Sequence, residues 1–186
     1  MAQDSKQTVA DIVRFALITL IIVVPIRAYV AQPFIVSGVS MDPTYHDGEY
    51  LIIDELSYHF RSPKRGEVVV FRYPKDPSKY FIKRVVGLPG ETISFAREAI
   101  TIKQDEQSWT IEEPYLTDGI SYQAEVIELG PEEYLVLGDN RNLSLDSRSW
   151  GPVQEKLIKG RVLVRLLPLS EIQLLPGDFS NADFLN

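Results

Sequence analysis

The sequence contains no cysteine. Disulfides, thiolate metal sites and a cysteine nucleophile are all excluded, while the compartment stays open, because many exported bacterial proteins also lack cysteine. Histidine is scarce, with only His46 and His59, which limits both histidine-based catalysis and histidine-rich metal sites. Basic residues are outnumbered: the formal net charge is -7 and the pI is near 4.9, so nucleic acid is excluded as a partner on charge. There is no internal repeat and no low-complexity tract. At 186 residues, the chain is sized for one domain with a real core and at most a small subdomain.

One long apolar run is present. Phe15 to Ile26 (FALITLIIVVPI) carries no charge and is flanked by Arg14 and Arg27. Extended over residues 12–31, it makes about 20 residues, roughly 30 Å as a helix, which matches a bilayer core. Pro25 is tolerable near the end of such a helix, and the two arginines can snorkel. A cleavable signal peptide is disfavoured because Ala28-Tyr29-Val30-Ala31 spaces its alanines three apart and forms no A-x-A site. A buried helix of a soluble protein is disfavoured because no polar face interrupts the run. The division predicted is an N-terminal tail over 1–11, a transmembrane anchor over 12–31 and a β-rich domain over 32–186. The Lys/Arg bias across the run is too slight to orient it.

After Thr44 the pattern turns to strands. Short apolar or β-branched stretches at 50–53, 67–71, 80–86, 91–95, 99–102, 109–111, 133–137 and 161–167 are punctuated by turns such as Pro63-Lys64-Arg65-Gly66 and Gly87-Leu88-Pro89-Gly90. No long amphipathic helix follows the apolar run. The spacing predicts a mostly antiparallel β domain. The polar, acidic stretch 103–132 reads as a small excursion or cap. The tail beyond Pro168 lacks Lys and Arg and reads as loosely held.

Three stretches carry candidate chemistry. Ser37-Gly38-Val39-Ser40-Met41-Asp42-Pro43-Thr44 is a turn-prone loop with two serines, which Pro43 keeps non-helical. Lys83 sits mid-strand in Tyr80-Phe81-Ile82-Lys83-Arg84-Val85-Val86, beside a second cation. Alternation sends Lys83 and Arg84 to opposite faces. A solvated strand face explains either residue equally well. A buried lysine, however, loses its proton more readily and can act as a general base, and lowering its pKa by about two units costs roughly 2.7 kcal/mol. The third stretch, Gly138 to Arg148 (GDNRNLSLDSR), is a polar loop at a strand end. It reads as a salt-bridged site frame or as a plain surface turn. His46 and His59 with nearby acids fit no metal spacing, and no G-x-S-x-G elbow supports a Ser-His-Asp triad.

In order, SGVSMDPT, RGEVVVFRYP, YFIKRVVGLPGE and GDNRNLSLDSR, preceded by an apolar anchor, resemble the bacterial type I signal peptidases from the anchor to about Leu167. The resemblance implies a membrane-bound serine endopeptidase that removes signal peptides from exported preproteins after A-x-A, on an antiparallel β fold of signal-peptidase and LexA-like type. It implies Ser40 as nucleophile and Lys83 as general base. Ser144 would hydrogen-bond and orient the lysine, while Arg84 with Asp139 and Asp146 with Arg148 would be structural ion pairs. The Ser40 amide would serve the oxyanion, and Val36, Met41 and Ile82 would shape small substrate pockets.

The implied partners are preprotein signal peptides and the lipid bilayer, near the export translocon, with no cofactor and no metal. The implied location is the extracytoplasmic side of the plasma membrane, or the thylakoid membrane in a cyanobacterial or plastid member. Two departures stand out. Gly38 occupies a position where some relatives carry a second oxyanion serine. Asn142 and Leu143 replace the second Asp and Asn of the commoner GDNRDNS. The alternatives are a LexA-like self-cleaving protein with the same dyad, for which no internal Ala-Gly segment or DNA-binding domain is visible, and an anchored β domain that binds a partner without catalysis.

Overall fold

The computed structural model describes residues 11–21, 32–97, 99–116 and 120–179. Residues 11–21 are helical and exposed throughout, with apolar side chains such as Phe15 and Ile21 unburied. Residues 22–31 of the predicted anchor lie outside the described residues. Among the described residues, no helix is long and apolar enough to cross a membrane.

The body is built from two antiparallel sheets. The larger contains β1 (Gln32–Ile35), β2 (Tyr50–Asp54), β3 (Val68–Tyr73), β4 (Asp76–Gly87), β9 (Glu133–Leu137), β10 (Val153–Gln154) and β11 (Ile158–Leu167), in the order β1-β2-β11-β3-β4-β9-β10; β12 (Gln173–Leu174) pairs with β11. The smaller contains β5 (Thr92–Arg97), β6 (Ala99–Gln104), β7 (Gln107–Thr110) and β8 (Tyr122–Glu128), in the order β7-β6-β5-β8. It begins at Thr92, ahead of the polar stretch 103–132, because Ile93, Phe95, Ile100 and Ile102 alternate inward and share one core with Ile111 and Tyr122.

The β-branched run of β3 shows how alternation builds the larger sheet. Val68 and Val70 pack with Met41, Tyr45, Leu51 and Ile53, whereas Val69 and Phe71 pack with Val85, Tyr134 and Val136. The register pairs Val69 with Lys83 and Val68 with Arg84, so the adjacent cations do leave the strand on opposite faces. Glu67, read as the start of a strand, instead ends the preceding turn. It is buried and bound by Arg61, Tyr58 Oη and the Lys64 amide. Arg65–Glu91 and Arg141–Glu113, both at 2.5 Å and both buried, tie the smaller sheet to the larger.

The tail departs from expectation. Up to Phe179 it is not loosely held: Gln173–Leu174 extend the sheet, and the Leu175 amide donates to Leu163 O at 2.7 Å. Backbone pairing and carbonyl contacts hold it, and neither shows in composition.

Candidate active site

The loop after β1 is fixed before any chemistry is considered. Val36 N donates to Glu49 O and Gly48 N to Val36 O, closing the loop at its base at 2.9 Å each. Inside it, Asp42 N donates to Val39 O and Tyr45 N to Met41 O. Met41 and Tyr45 are fully buried and anchor the loop in the core. Gly38 has φ near +90°, and its amide donates to Asp47 Oδ1 at 2.7 Å. A serine there would have to adopt a left-handed conformation that L residues disfavour.

Ser40 is the serine this loop presents to Lys83. Ser40 Oγ and Lys83 Nζ lie 2.6 Å apart across 43 residues of sequence. Ser37 lines the same cleft but makes no hydrogen bond to Lys83 among the described residues. Lys83 is buried, and its second bond is to Ile82 O at 2.8 Å. No carboxylate pairs with it among the described residues. Burial pushes its pKa down from 10.5 to about 8, against a smaller upward pull from the charges of Asp146 and Asp139. The geometry therefore offers a hydroxyl in hydrogen-bond contact with an amine that is easily neutral.

Arg84 is treated differently. Nε and Nη2 bind Asp139 at 2.8 and 2.5 Å, Nη1 donates to Gly66 O at 2.7 Å, and the guanidinium lies 4.0 Å from the Tyr115 ring centroid. Asp139 also accepts from Thr44 Oγ1 at 2.5 Å, which joins the ion pair to the end of the nucleophile loop. Asp146 is bound by both Arg148 Nε and Nη2 at 2.8 Å and by the Gly138 amide at 3.1 Å. These bonds hold its carboxyl below the usual carboxylate range although burial opposes that.

Among the described residues no hydrogen bond joins Ser144 to Lys83; its Oγ lies buried against Gly138. The second bond of Lys83 Nζ goes to the carbonyl of Ile82. Gly138 explains the close fit. A Cβ there would lie 2.1 Å from Ser144 Oγ and 2.4 Å from Ser40 O, and the neighbouring Asn140 amide donates to Ser40 O at 3.1 Å. The Ser40 amide is engaged by no hydrogen bond among the described residues and remains available to an oxyanion.

The cleft in front of the pair has a volume of about 500 Å³. Val36 and Ile82 line it, whereas Met41 lies beneath it, fully buried in the core, and does not. Sequence reasoning missed Val39, Leu143 and Leu145 in its walls. For the last two the signal was present in composition: Leu143 and Leu145 are apolar residues in an otherwise polar loop. Leu143, a departure from the commoner motif, is thus a wall of the cleft. His46 contacts Asp42 and His59 binds Glu55 O, both exposed, and neither bonds to Ser40. Among the described residues, no group of three or more His, Cys, Asp or Glu could hold a metal ion.

Comparison with known proteins identifies the family. The family described as "Signal peptidase, peptidase S26" matches residues 9–167. A probable signal peptidase I-2 of Synechocystis sp. is 36% identical over 165 residues, covering 86% of this chain and 73% of that one. The signal peptidase I of Leptolyngbya laminosa is 36% identical over 163 residues (83% and 78%), and that of Bacillus licheniformis 31% over 182 residues (91% and 95%). A solved signal peptidase I from Enterococcus faecalis V583 aligns with a TM-score of 0.47 at 26% identity, covering 54% of this chain and 97% of that one. With most of its length matched by the family and by relatives above 30% identity, the chain belongs to the signal peptidase family, peptidase S26.

Proposed function

We propose that Ser40 is the nucleophile and Lys83 the general base of a signal-peptide-cleaving serine endopeptidase. The activity is that of the family, a serine protease acting on signal peptides. The observation that carries the residue assignment is the 2.6 Å contact between Oγ and a buried Nζ that no carboxylate pairs.

In the neutral form of Lys83, the Ser40 hydroxyl donates to Nζ. As Oγ attacks the scissile carbonyl, its proton passes to Nζ and the oxyanion meets the Ser40 amide. Collapse transfers that proton to the leaving amine and leaves an ester on Ser40. Lys83 then takes a proton from water, which hydrolyses the ester. The substrate lies extended beside Pro33 to Val36, adding a strand at the exposed edge of β1. The apolar walls of the cleft suit small side chains, consistent with cleavage after A-x-A.

The anchor reading puts this cleft at a membrane surface, and membership of the family implies the extracytoplasmic side, where signal peptides emerge. It is supported by the exposed apolar surface of residues 11–21, which the β domain leaves uncovered. The test is cleavage of an A-x-A preprotein by wild type, Ser40→Ala and Lys83→Arg. Arginine keeps the charge but does not release its proton, so both variants are expected to be inactive. Retained cleavage by Lys83→Arg would remove Lys83 from the role of base.

A further inference from the structure

The family match stops at residue 167, yet the chain beyond it reaches the catalytic frame. Tyr45 Oη donates to Pro176 O, and Arg84 Nη1 donates to Gly177 O. The Phe179 ring lies 5.0 Å from the Arg84 guanidinium and 5.2 Å from the Tyr115 ring, so the two rings pack on each other and together flank Arg84. Gly177 has φ +66°, and a Cβ there would come within 2.3 Å of Thr44 Cγ2. Pro176 and Gly177 thus meet the end of the nucleophile loop at Tyr45 and Thr44. Gly177 and Phe179 also meet Arg84, the residue that follows the base.

We propose that Pro176–Phe179 is a positioning element of the Ser40–Lys83 pair, acting through Arg84 and Thr44. The inference rests on the dyad assignment made above. The physical route is short. Arg84 and Thr44 both bind Asp139, and the next residue's amide holds Ser40 O. Arg84 and Lys83 share one strand. With the strap in place, the guanidinium has acceptors for its N–H groups and aromatic cover beside it, so water does not compete for Asp139. Without it, Nη1 loses an acceptor and water enters behind β4. The Asp139 carboxylate is then free to shift, and the nucleophile loop with it. A nucleophile loop displaced in this way no longer covers Lys83 at Ser40, and solvation there favours the protonated form of the lysine.

The experiment compares three chains: the full sequence, a variant ending at Phe179 and a variant ending at Leu175. Preprotein cleavage is followed across pH, and folding is checked by circular dichroism. The variant ending at Phe179 is expected to match the full chain. The one ending at Leu175 is expected to lose kcat by about tenfold or more, with KM within about twofold, as a misplaced catalytic pair does. Its acid limb is expected to move to higher pH. Phe179→Ala should lose kcat in the same direction and Phe179→Tyr should restore it; this pair decides the matter if the shorter chain does not fold. A folded variant ending at Leu175 with the kcat and acid limb of the full chain, or a loss confined to KM, overturns the proposal. Ser40→Ala, assayed alongside, separates the two readings: if it cleaves, the dyad assignment fails, whatever the strap does.

Discussion

The two faces of β4 treat a cation in opposite ways. On one face Lys83 meets a hydroxyl and a carbonyl, and among the described residues no carboxylate pairs with it. On the other, Arg84 has a carboxylate bound through two bonds, two backbone carbonyls and two aromatic rings. Both are almost completely buried. A buried charge is tolerable when it is matched, or when the group can discharge itself. Arginine cannot release its proton, so the protein matches it. Lysine can, so the protein leaves it unmatched and obtains a base. One face is built for stability and the other at its expense.

The largest test of that contrast is Lys83→Met. Cleavage should fall by about 10³-fold or more, from loss of the base. Stability at pH 7 should rise by up to about 3 kcal/mol, since each unit of pKa depression corresponds to about 1.4 kcal/mol and the shift runs from 10.5 to about 8. The sign follows from linkage. An unfolded lysine holds its proton up to its ordinary pKa, whereas the folded one releases it near 8. Below that pH the folded state bears the whole burial penalty, and as pH rises towards 10.5 the penalty disappears. Wild-type stability should therefore gain relative to Lys83→Met over that window, as read by urea unfolding at pH 7 and pH 10. A constant difference would mean that Lys83 is not desolvated. The same pKa predicts that wild-type kcat/KM falls on the acid side with an apparent midpoint of about 8.

On the matched face the expectation reverses. Asp139→Ala strands Arg84 and should destabilise the protein by about 3–5 kcal/mol, measured by denaturant unfolding. A change below 1 kcal/mol (roughly the value of an exposed pair) would show that water already reaches Arg84. Gly138→Ala probes the junction between the faces. Its Cβ would crowd Ser144 Oγ and Ser40 O, so stability should drop by about 1–3 kcal/mol, the range for overpacking. Activity should drop more than stability, because Ser40 itself is displaced. The smallest effect belongs to Asp76, whose pair with Lys79 at 3.1 Å is solvent-exposed. Asp76→Asn should leave the thermal midpoint unchanged within measurement error, marking the value of a cation pair that water already screens.

Much of the fold was legible because strands advertise themselves locally. Val68-Val69-Val70-Phe71 and Glu133 to Leu137 are β-branched or apolar runs bounded by turns, and both are strands. Gln32–Ile35, Tyr122–Glu128 and Gln173–Leu174 escaped notice. Tyr122–Glu128 is mostly exposed and polar, and Gln173–Leu174 is only two residues long, so tertiary pairing rather than pattern makes them strands. At the site, Lys83, the two-serine loop and the polar loop 138–148 were singled out from residue type and position, whereas Ser40 over Ser37 and the pairs Arg84–Asp139 and Asp146–Arg148 came from the family resemblance. The orienting role of Ser144 came from the family resemblance; the bond from Lys83 Nζ to the Ile82 carbonyl involves a backbone group that side-chain patterns do not encode.

The sequence by itself determined which residue types were available. It had no thiol, little histidine, two adjacent cations inside an apolar strand, and a serine loop stiffened by proline. It also determined that alternation would part Lys83 from Arg84, because a strand has period two whatever packs against it. Only the tertiary structure decided how the two cations differ. A pKa depends on how much water and which charges surround a group, and those come from segments far apart in the chain. The serine lies 43 residues from its lysine, the aspartate 55 from its arginine, and the strap carbonyl 93 from that same arginine.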